Sequence, residues 1–227
     1  PFNYVMGNPI RLIDPDGRYV ILSGAKELQE EFSSTLDKYL GLSGTFSVSE
    51  SGYLSVNQLS EEQFNNLNFE QQGFYNEVKF LANTTALEVS FGLVDEGVTD
   101  SRTGLAGEDV YVDDYDHGLL DVGDLSKLGN DIGQATTHAL YEQAIHDNPV
   151  KMTKTPEPIP YEDAHQKAIV NDKKKVGYSF ENDTKSVVNG NQVFYRDKVN
   201  QQGDKIGTVK ITLKSPDNLT IIKYENE

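Results

Sequence analysis

The sequence has 227 residues, of which 37% are hydrophobic and 10% aromatic, and it carries a formal net charge of −16 at pH 7. This length and composition are enough for one sizeable core, whereas the negative charge argues against nucleic acid as a partner, because phosphates are bound by Lys and Arg. There is no cysteine, which excludes disulfides, thiolate metal ligands and thiol catalysis, and no apolar run is long enough to span a membrane. A metal site would therefore depend on Asp, Glu and the four histidines, His117, His138, His146 and His165.

Residues 1–18 are dense in turn signals, with Asn-Pro and Asp-Pro-Asp-Gly on either side of a short apolar run. The stretch YVMGNPIRLIDPDG resembles the closing motif of Rhs/YD-repeat proteins, Y-x-x-x-N-P-x-x-x-x-D-P-x-G. The resemblance implies that these residues end an Rhs β-shell and that a variable C-terminal cargo domain, commonly a toxin, follows. It also implies export into target cells, with the Rhs shell and a secretion apparatus as partners. The matching positions are Tyr4, Asn8, Pro9, Asp14, Pro15 and Gly17.

Apolar spacing predicts both helices and strands between residues 19 and 93. Leu28, Phe32 and Leu36 recur every four residues, which is a helical period. Ser60 and Gln63 have the spacing of a capping box that begins another helix. The predicted elements are a strand at 19–22, a helix at 25–40, a hairpin at 45–56, a helix from residue 60, a helix at 70–82 and a strand at 86–93.

The stretch that follows, residues 95–128, is rich in acidic residues. A strand at 109–112 is predicted to end in the acidic run 113–116, which we interpret as a solvated turn because it lacks the ligand spacing of an EF-hand calcium loop. His117 is interpreted as a loop residue. Asp124 is predicted to cap the helical turn after it.

The main helix is predicted at 132–146, with Asn-Pro ending it at residues 148–149. A proline-rich extended connection then leads to a helix at 161–172, and hairpins follow. The predicted fold class is α+β, with mixed helices, short antiparallel strands and hairpins, and a zincin-like metal-binding helix in the middle. The domain prediction assigns 1–18 to the Rhs junction, 19–175 to a toxin domain and 176–227 to a hairpin part of that same domain.

The stretch THALYEQAIH on this main helix offers metal ligands at helical spacing. Residues four apart lie about 6 Å apart on one helix face, so Glu142 can share an ion with His138 or with His146. His138 and His146 are too far apart to share an ion. A cationic side chain is also favoured near the C-terminus of a helix, which is an alternative explanation for His146. His165 on the next helix is the best external ligand. A His–Glu–His set leaves one tetrahedral position open for water, as catalytic zinc requires.

Three runs in this region, LLDVGDLSKLGN, THALYEQ and YEDAHQKA, together resemble the metallopeptidase-like toxin domains of bacterial polymorphic toxins. Those domains carry a D-V-x-D-L run, a helix with H-E-x-x-E-Q and a later helix with A-H. The resemblance implies Zn²⁺ on His138, Glu142 and His165, a protein or peptide substrate and a cognate immunity protein. It also assigns the general base to residue 139, which is Ala139 here. A methyl group cannot accept a proton, so we expect this chain to be catalytically disarmed.

Several alternatives remain open at the level of sequence. Residues 110–112 or 119–122 could present a strand edge to an extended peptide. Tyr141 and Tyr161 could stabilise an oxyanion, or they could pack in the core. The whole protein could instead be a non-enzymatic secreted effector or binding module, or a hydrolase toxin of another class such as a nuclease, which the negative charge disfavours.

Overall fold

A computed structural model describes residues 19–83, 87–107, 110–154, 159–214 and 220–226 of the chain. The predicted Rhs junction, residues 1–18, lies outside this described part, and so do the first residues of the strands predicted at 86–93 and 109–112. The described residues combine helices with parallel and antiparallel sheets, which confirms the α+β class. No helix in the described ranges has both the length and the apolar character needed to cross a membrane.

The helices of the described chain agree closely with the predicted ones where the apolar period is strong. They are α1 (Lys26–Leu40), α2 (Glu61–Asn66), α3 (Phe69–Asn83), α4 (Val122–Lys127), α5 (Ile132–Asp147), α6 (Pro149–Thr153) and α7 (Tyr161–Lys175), with a 3₁₀ turn at Gly129–Asp131. The strands are β1 (Tyr19–Ser23), β2 (Phe46–Val48), β3 (Leu54–Val56), β4 (Glu88–Val94), β5 (Asp113–Asp114), β6 (Leu119–Asp121), β7 (Tyr178–Val188), β8 (Asn191–Asn200), β9 (Lys205–Leu213) and β10 (Ile221–Asn226).

The N-terminal half contains a four-stranded sheet in the order β1-β4-β6-β5. β1 pairs with β4 in parallel, β4 pairs with β6 in parallel, and only β5 is antiparallel. The sequence predicted antiparallel hairpins and gave no sign of these parallel pairs. β6 has a partner on both sides, so the prediction of a free edge at residues 119–122 is wrong. The prediction of a strand edge at residues 110–112 is also wrong, because these residues do not form a strand.

The C-terminal sheet is antiparallel in the order β10-β9-β8-β7, as the predicted hairpins require. Asn189 and Gly190 connect β7 to β8 with φ values of 52° and 83°, which is the backbone of a two-residue turn that matches the twist of paired strands. β7 runs over 11 residues, Tyr178–Val188, and ends at this turn.

Residues of this C-terminal sheet share one apolar core with the N-terminal half. Val209, Ile211 and Ile221 are at most 2% exposed and belong to the same cluster as Phe32 and Phe91. The C-terminal strands and α5 also contribute residues to the wall of one cavity.

Two buried carboxylates add polar links between the same parts. Asp124 accepts a hydrogen bond from the backbone N–H of Ile221, at 2.8 Å. Asp131, which directly precedes α5, accepts hydrogen bonds from the hydroxyls of Tyr178 and Tyr224, at 2.5 and 2.8 Å, and pairs with Lys198 at 2.6 Å. We call Asp131 and these three partners the Asp131 cluster.

Two local predictions need correction. The cap of α4 is Asp121, whose side chain accepts a hydrogen bond from the N–H of Asp124 at 2.8 Å, so Asp124 lies inside the helix rather than before it. The chain after residue 148 is not extended at once, because Pro149 begins the five-residue helix α6. Proline is tolerated there since the first residues of a helix donate no intrahelical hydrogen bond.

Candidate metal centre

The packing of α7 against α5 brings the three predicted ligands together. Glu142 Oε1 lies 2.9 Å from His138 Nε2 and 2.7 Å from His165 Nδ1, and the two ring nitrogens are 3.0 Å apart. Glu142 is 2% exposed and lies between the two imidazoles. Ligand atoms from these three residues lie within 4.8 Å of one another, so the cluster could hold a metal ion.

A carboxylate behind the cluster orients His138. Asp172 Oδ2 lies 2.6 Å from His138 Nδ1 and accepts a hydrogen bond from Gln134 Nε2 at 2.8 Å. When Nδ1 donates to Asp172, the lone pair of Nε2 points toward Glu142 and His165. Carboxylates commonly hold metal-binding histidines in this way.

The charges in this cluster are strongly coupled. Burial disfavours the charged form of His138, but Asp172 and Glu142 outweigh it and raise the pKa of His138 to about 10. Burial alone would raise the pKa of Glu142, whereas hydrogen bonds from His138 and His165 lower it to about 2. A divalent cation would therefore take the place of a proton on His138.

The sequence missed Asp172, although a signal was present. Asp172 follows His165 by seven residues, which is two helical turns on the same face of the predicted helix. A search for an acidic residue one or two turns from each candidate ligand would have found it.

The cluster lies in the wall of an open cavity of about 500 Å³. α5 contributes Gln134, Ala135, His138 and Glu142 to this wall. The cavity is large enough for a few residues of an extended peptide and mixes charged with aromatic surfaces. The described residues that face the α5 wall include Tyr111, Val112, Asp113, Tyr161, Phe180, Phe194, Arg196 and Tyr224.

Ala139 lies in the apolar core, whereas the preceding residue, His138, lines the cavity. It is 2% exposed, packs in the main apolar core and is not among the described residues that line the cavity. A glutamate here would start from the buried side of α5, about 100° around the helix from His138, and only its carboxylate end could reach the cavity. The assignment of a general base to this position stays a prediction.

The other two histidines lie outside the cluster. His146 contacts Asp147 at 2.9 Å and the ring of Tyr115, and His117 is exposed beside Asp114 at 2.8 Å. Of the two candidate pairs on α5, His165 therefore joins His138 with Glu142 and not Glu142 with His146, as far as the described residues show.

The two candidate tyrosines differ in position. Tyr161 lines the cavity, with its hydroxyl 3.3 Å from His165 Nδ1, while Tyr141 packs against the small apolar cluster around Ile145. Burial, followed by the charges of Glu142 and Asp113, raises the pKa of Tyr161 to about 12. Tyr161 is therefore protonated near neutral pH and can donate a hydrogen bond into the cavity.

The acidic run 113–116 is not the uniformly solvated turn that the sequence suggested. Asp113 is half-buried in the cavity wall, while Asp116 is exposed. The spacing of apolar residues could not show that Asp113 and Asp116 differ in burial, because the chain turns sharply just before Asp113.

Comparison of the chain with models of protein families, with curated proteins and with solved structures gave no significant match in any of the three. The function is therefore argued from the residues of the site and from the motifs in the sequence.

Proposed function

We propose that this protein is a metal-dependent hydrolase of the zinc peptidase class, in which His138, Glu142 and His165 hold the ion. The observation that carries the proposal is the convergence of these three side chains from two helices, in the wall of an open cavity, with Asp172 behind His138. The resemblance to toxin metallopeptidases is independent support from the sequence.

The donor set fits zinc in number and in spacing. Two imidazole nitrogens and one carboxylate oxygen form a set found in catalytic zinc sites, which keep a fourth position open. Ligand atoms about 2.0–2.1 Å from a tetrahedral zinc are about 3.3 Å apart. The three distances here, 2.7, 2.9 and 3.0 Å, are slightly shorter, so a small expansion would admit the ion.

Zinc in such a site lowers the pKa of water and polarises a carbonyl group. The protein's own contribution is to orient the ligands, to hold a peptide in the cavity and to donate hydrogen bonds to the oxygen that gains charge. We assign the last role to the hydroxyl of Tyr161, which is supported by its position in the cavity wall, 3.3 Å from His165 Nδ1.

The resemblance assigns proton removal from water to residue 139. General acid–base catalysis typically contributes about 10²–10⁴-fold to the rate. With Ala139 at this position, we propose that the chain keeps its metal site and hydrolyses peptides slowly.

The biological setting that we propose is that of an exported effector. The junction motif in residues 1–18 supports cargo of an Rhs shell and its secretion apparatus, and a toxin of this class needs a cognate immunity protein. The net charge of −16 favours a partner with a basic surface.

Metal binding is the first experiment. The purified protein, dialysed against limiting zinc, should hold close to one ion per chain by elemental analysis. The variants His138→Ala, Glu142→Ala and His165→Ala should lose most of it, whereas His117→Ala and His146→Ala serve as matched controls and should keep it. A parent protein without zinc would contradict the proposal.

Restoring the carboxylate is the second experiment. Ala139→Glu should increase the zinc-dependent cleavage of an unstructured protein such as casein by about 10²–10⁴-fold. Ala139→Gln is the matched control, since it has the same size without a base. If both variants bind zinc and Ala139→Glu cleaves no faster than Ala139→Gln, residue 139 is not the base.

A further inference from the structure

We propose that Asp113 is a proton-accepting carboxylate beside the open position of the metal site, and that it supports the slow hydrolysis of a chain that has Ala139. This inference rests on the proposed function. It concerns a residue that the sequence motifs leave without a role.

Elimination among the carboxylates of the cavity wall points to Asp113. Glu142 is a ligand, Asp114 contacts His117 at 2.8 Å, and Asp183 pairs with Arg196 at 2.7 Å. Asp116 is exposed at the rim. In the described part of the chain, the carboxylate of Asp113 has no hydrogen bond or ion pair.

The position of Asp113 suits a group that acts next to the ion rather than on it. It interacts electrostatically with Glu142 and His138 on α5 and with His165 on α7, and also with Arg196 on β8. It is nevertheless outside the group of ligand atoms that lie within 4.8 Å of one another. Asp113 therefore lines the same cavity as the three candidate ligands without being one of them.

The electrostatic setting is compatible with proton transfer. Burial, followed by the charge of Glu142, raises the pKa of Asp113 to about 7, against the smaller opposite effects of His138, His165 and Arg196. An acid–base group works best when its pKa is close to the working pH.

The backbone before Asp113 is held in a rare conformation. The N–H of Asp113 donates to the carbonyl of Tyr111 at 2.7 Å, and the residue between them, Val112, has a φ of 61°. This is the hydrogen bond and the φ sign of the rarer, strained γ-turn, and a β-branched residue seldom adopts it. The carbonyl of Val112 accepts a hydrogen bond from the N–H of Asp121 at 2.7 Å, which fixes the turn.

Strain of this kind persists where the surrounding structure enforces it, and it is concentrated at functional sites. Here the turn ends the loop before β5 and brings Asp113 to the cavity, while Val112 itself is 7% exposed and packs in the core. A relaxed extended strand through residues 110–114 would not need such a turn.

The chemical step that we assign to Asp113 is one proton transfer in each direction. The oxygen of water forms a bond to the carbonyl carbon of the peptide while its O–H bond breaks and the proton passes to a carboxylate oxygen of Asp113. When the C–N bond then breaks, Asp113 returns the proton to the nitrogen of the leaving amine. The products are a carboxylic acid and an amine, and no further reactant is needed.

Cobalt(II) in place of zinc provides a test that does not depend on activity. Its visible absorption reports the ligands, and the pH at which the spectrum changes reports the ionisation of water and its proton acceptor. In Asp113→Asn we expect unchanged cobalt stoichiometry and intensity, but a first spectral transition at a pH about one unit higher or more, because an amide cannot take the proton. Residual zinc-dependent peptide cleavage should fall at least about tenfold.

Two further variants make the result specific. Asp163→Asn removes the same charge from an exposed position of α7 outside the cavity and should leave the spectral midpoint and the cleavage rate unchanged. Asp113→Glu keeps the carboxylate and should restore a midpoint near that of the parent, which also guards against a folding defect in the asparagine variant.

The outcomes separate this inference from the proposed function. Normal cobalt binding with an unmoved midpoint and an unchanged rate in Asp113→Asn overturns the role of Asp113 alone. A loss of cobalt absorption in that variant also overturns it, since Asp113 would then be a ligand. A parent chain that binds no cobalt overturns both the proposed function and this inference.

Discussion

His138 depends for its orientation on a residue of the neighbouring helix. Asp172 on α7 accepts a hydrogen bond from the imidazole of His138 and another from Gln134, so two side chains from two helices fix the orientation of this candidate ligand. Asp172 is fully buried, and a carboxylate without such partners would be costly at this depth. The burial of Asp172 is therefore explained by its hydrogen bonds with His138 and Gln134 and not by the packing of apolar side chains.

We therefore predict that Asp172→Asn weakens zinc binding by about 10–100-fold without removing a ligand. The amide of asparagine has no charged oxygen that can accept hydrogen bonds from both His138 and Gln134. The imidazole of His138 is therefore held less firmly in its orientation. Competition with a chelator measures the affinity. Asp163→Asn, an exposed change of the same kind on the same helix, should have no effect, and equal losses in both variants would contradict the prediction.

Asp121 provides a pH-dependent prediction. It is 1% exposed, its Oδ2 has no hydrogen-bond partner in the described residues, and burial, followed by the charges of Asp124 and Asp95, raises its pKa to about 7. An acid whose pKa is higher in the folded state than in the unfolded state binds more protons when folded. The contribution of Asp121 to the free energy of unfolding must therefore fall as the pH rises from about 4 to 7.

Asp121→Asn should remove this part of the pH dependence. Relative to the parent, the variant should gain stability between about pH 4 and pH 7, with a ceiling of about 4 kcal/mol at about 1.4 kcal/mol per pKa unit. Urea unfolding at a series of pH values measures the difference. A constant difference between the two proteins at all pH values would show that Asp121 does not titrate in this range.

At this scale the sequence predicted the candidate ligands but not the residues around them. His138 and Glu142 could be found because spacing within one helix is fixed by helix geometry, and His165 because the connection after α5 can bring the next helix back alongside it. Asp113 is brought to the site by a γ-turn at Val112, and a turn with a β-branched residue at its centre has no sequence signal. Ala139 was recognised as an unusual residue, but its burial depends on what packs against α5.

The close crossing of α3 and α7 sets the position of the helix that carries His165. A Cβ atom on Gly73 would lie 1.7 Å from the carbonyl oxygen of Lys175, the last residue of α7. Only glycine permits this contact, because the obstacle is backbone and cannot turn aside. The contact therefore couples α3 to one side of the metal centre.

Gly73→Ala should lower the free energy of unfolding by about 1–3 kcal/mol, as overpacking generally does. It should also weaken zinc binding, because α7 carries both His165 and Asp172. Chemical denaturation and chelator competition measure the two effects. Gly207→Ala is the control, since its nearest neighbour would be a side-chain atom of Lys198 at 3.7 Å, and a Gly73→Ala protein of normal stability would contradict the prediction.

The helices were the most predictable elements. α1, α3 and α5 begin and end within a residue or two of the predicted bounds, and the capping box at Ser60 is present as predicted. The parallel pairing of β1 with β4 was not predictable, because it joins residues far apart in the chain through contacts that apolar alternation does not specify. α6 was missed because a proline that ends one helix can also begin the next.

The charge of the whole molecule has a measurable consequence. A net charge of −16 on a compact chain produces self-repulsion that is smaller in the expanded, unfolded state. Salt screens this repulsion over a distance of about 10 Å at 0.1 M. We predict that stability against urea increases between about 10 mM and 200 mM sodium chloride, and that potassium chloride gives the same increase. A decrease with salt would mean that attractive ion pairs dominate.

Truncation can test whether the candidate metal centre depends on the last strand. A chain that ends at Lys214 lacks β10, and with it the hydrogen bond from Ile221 to Asp124 and that from Tyr224 to Asp131. We expect such a chain to bind zinc poorly and to unfold at lower urea concentrations. Tyr224→Phe removes one hydroxyl from the full-length protein and should have a smaller effect in the same direction. A truncated chain with normal zinc affinity would show that the site does not need this strand.

The Asp131 cluster also has a consequence for the order of events during synthesis. Asp131 precedes Tyr178 by 47 residues and Tyr224 by 93 residues, so the ribosome releases the start of α5 well before the hydroxyls that complete the surroundings of Asp131. Until those strands have emerged, the carboxylate at the head of α5 lacks these partners. We therefore expect the candidate metal centre on α5 to reach its final arrangement late in synthesis.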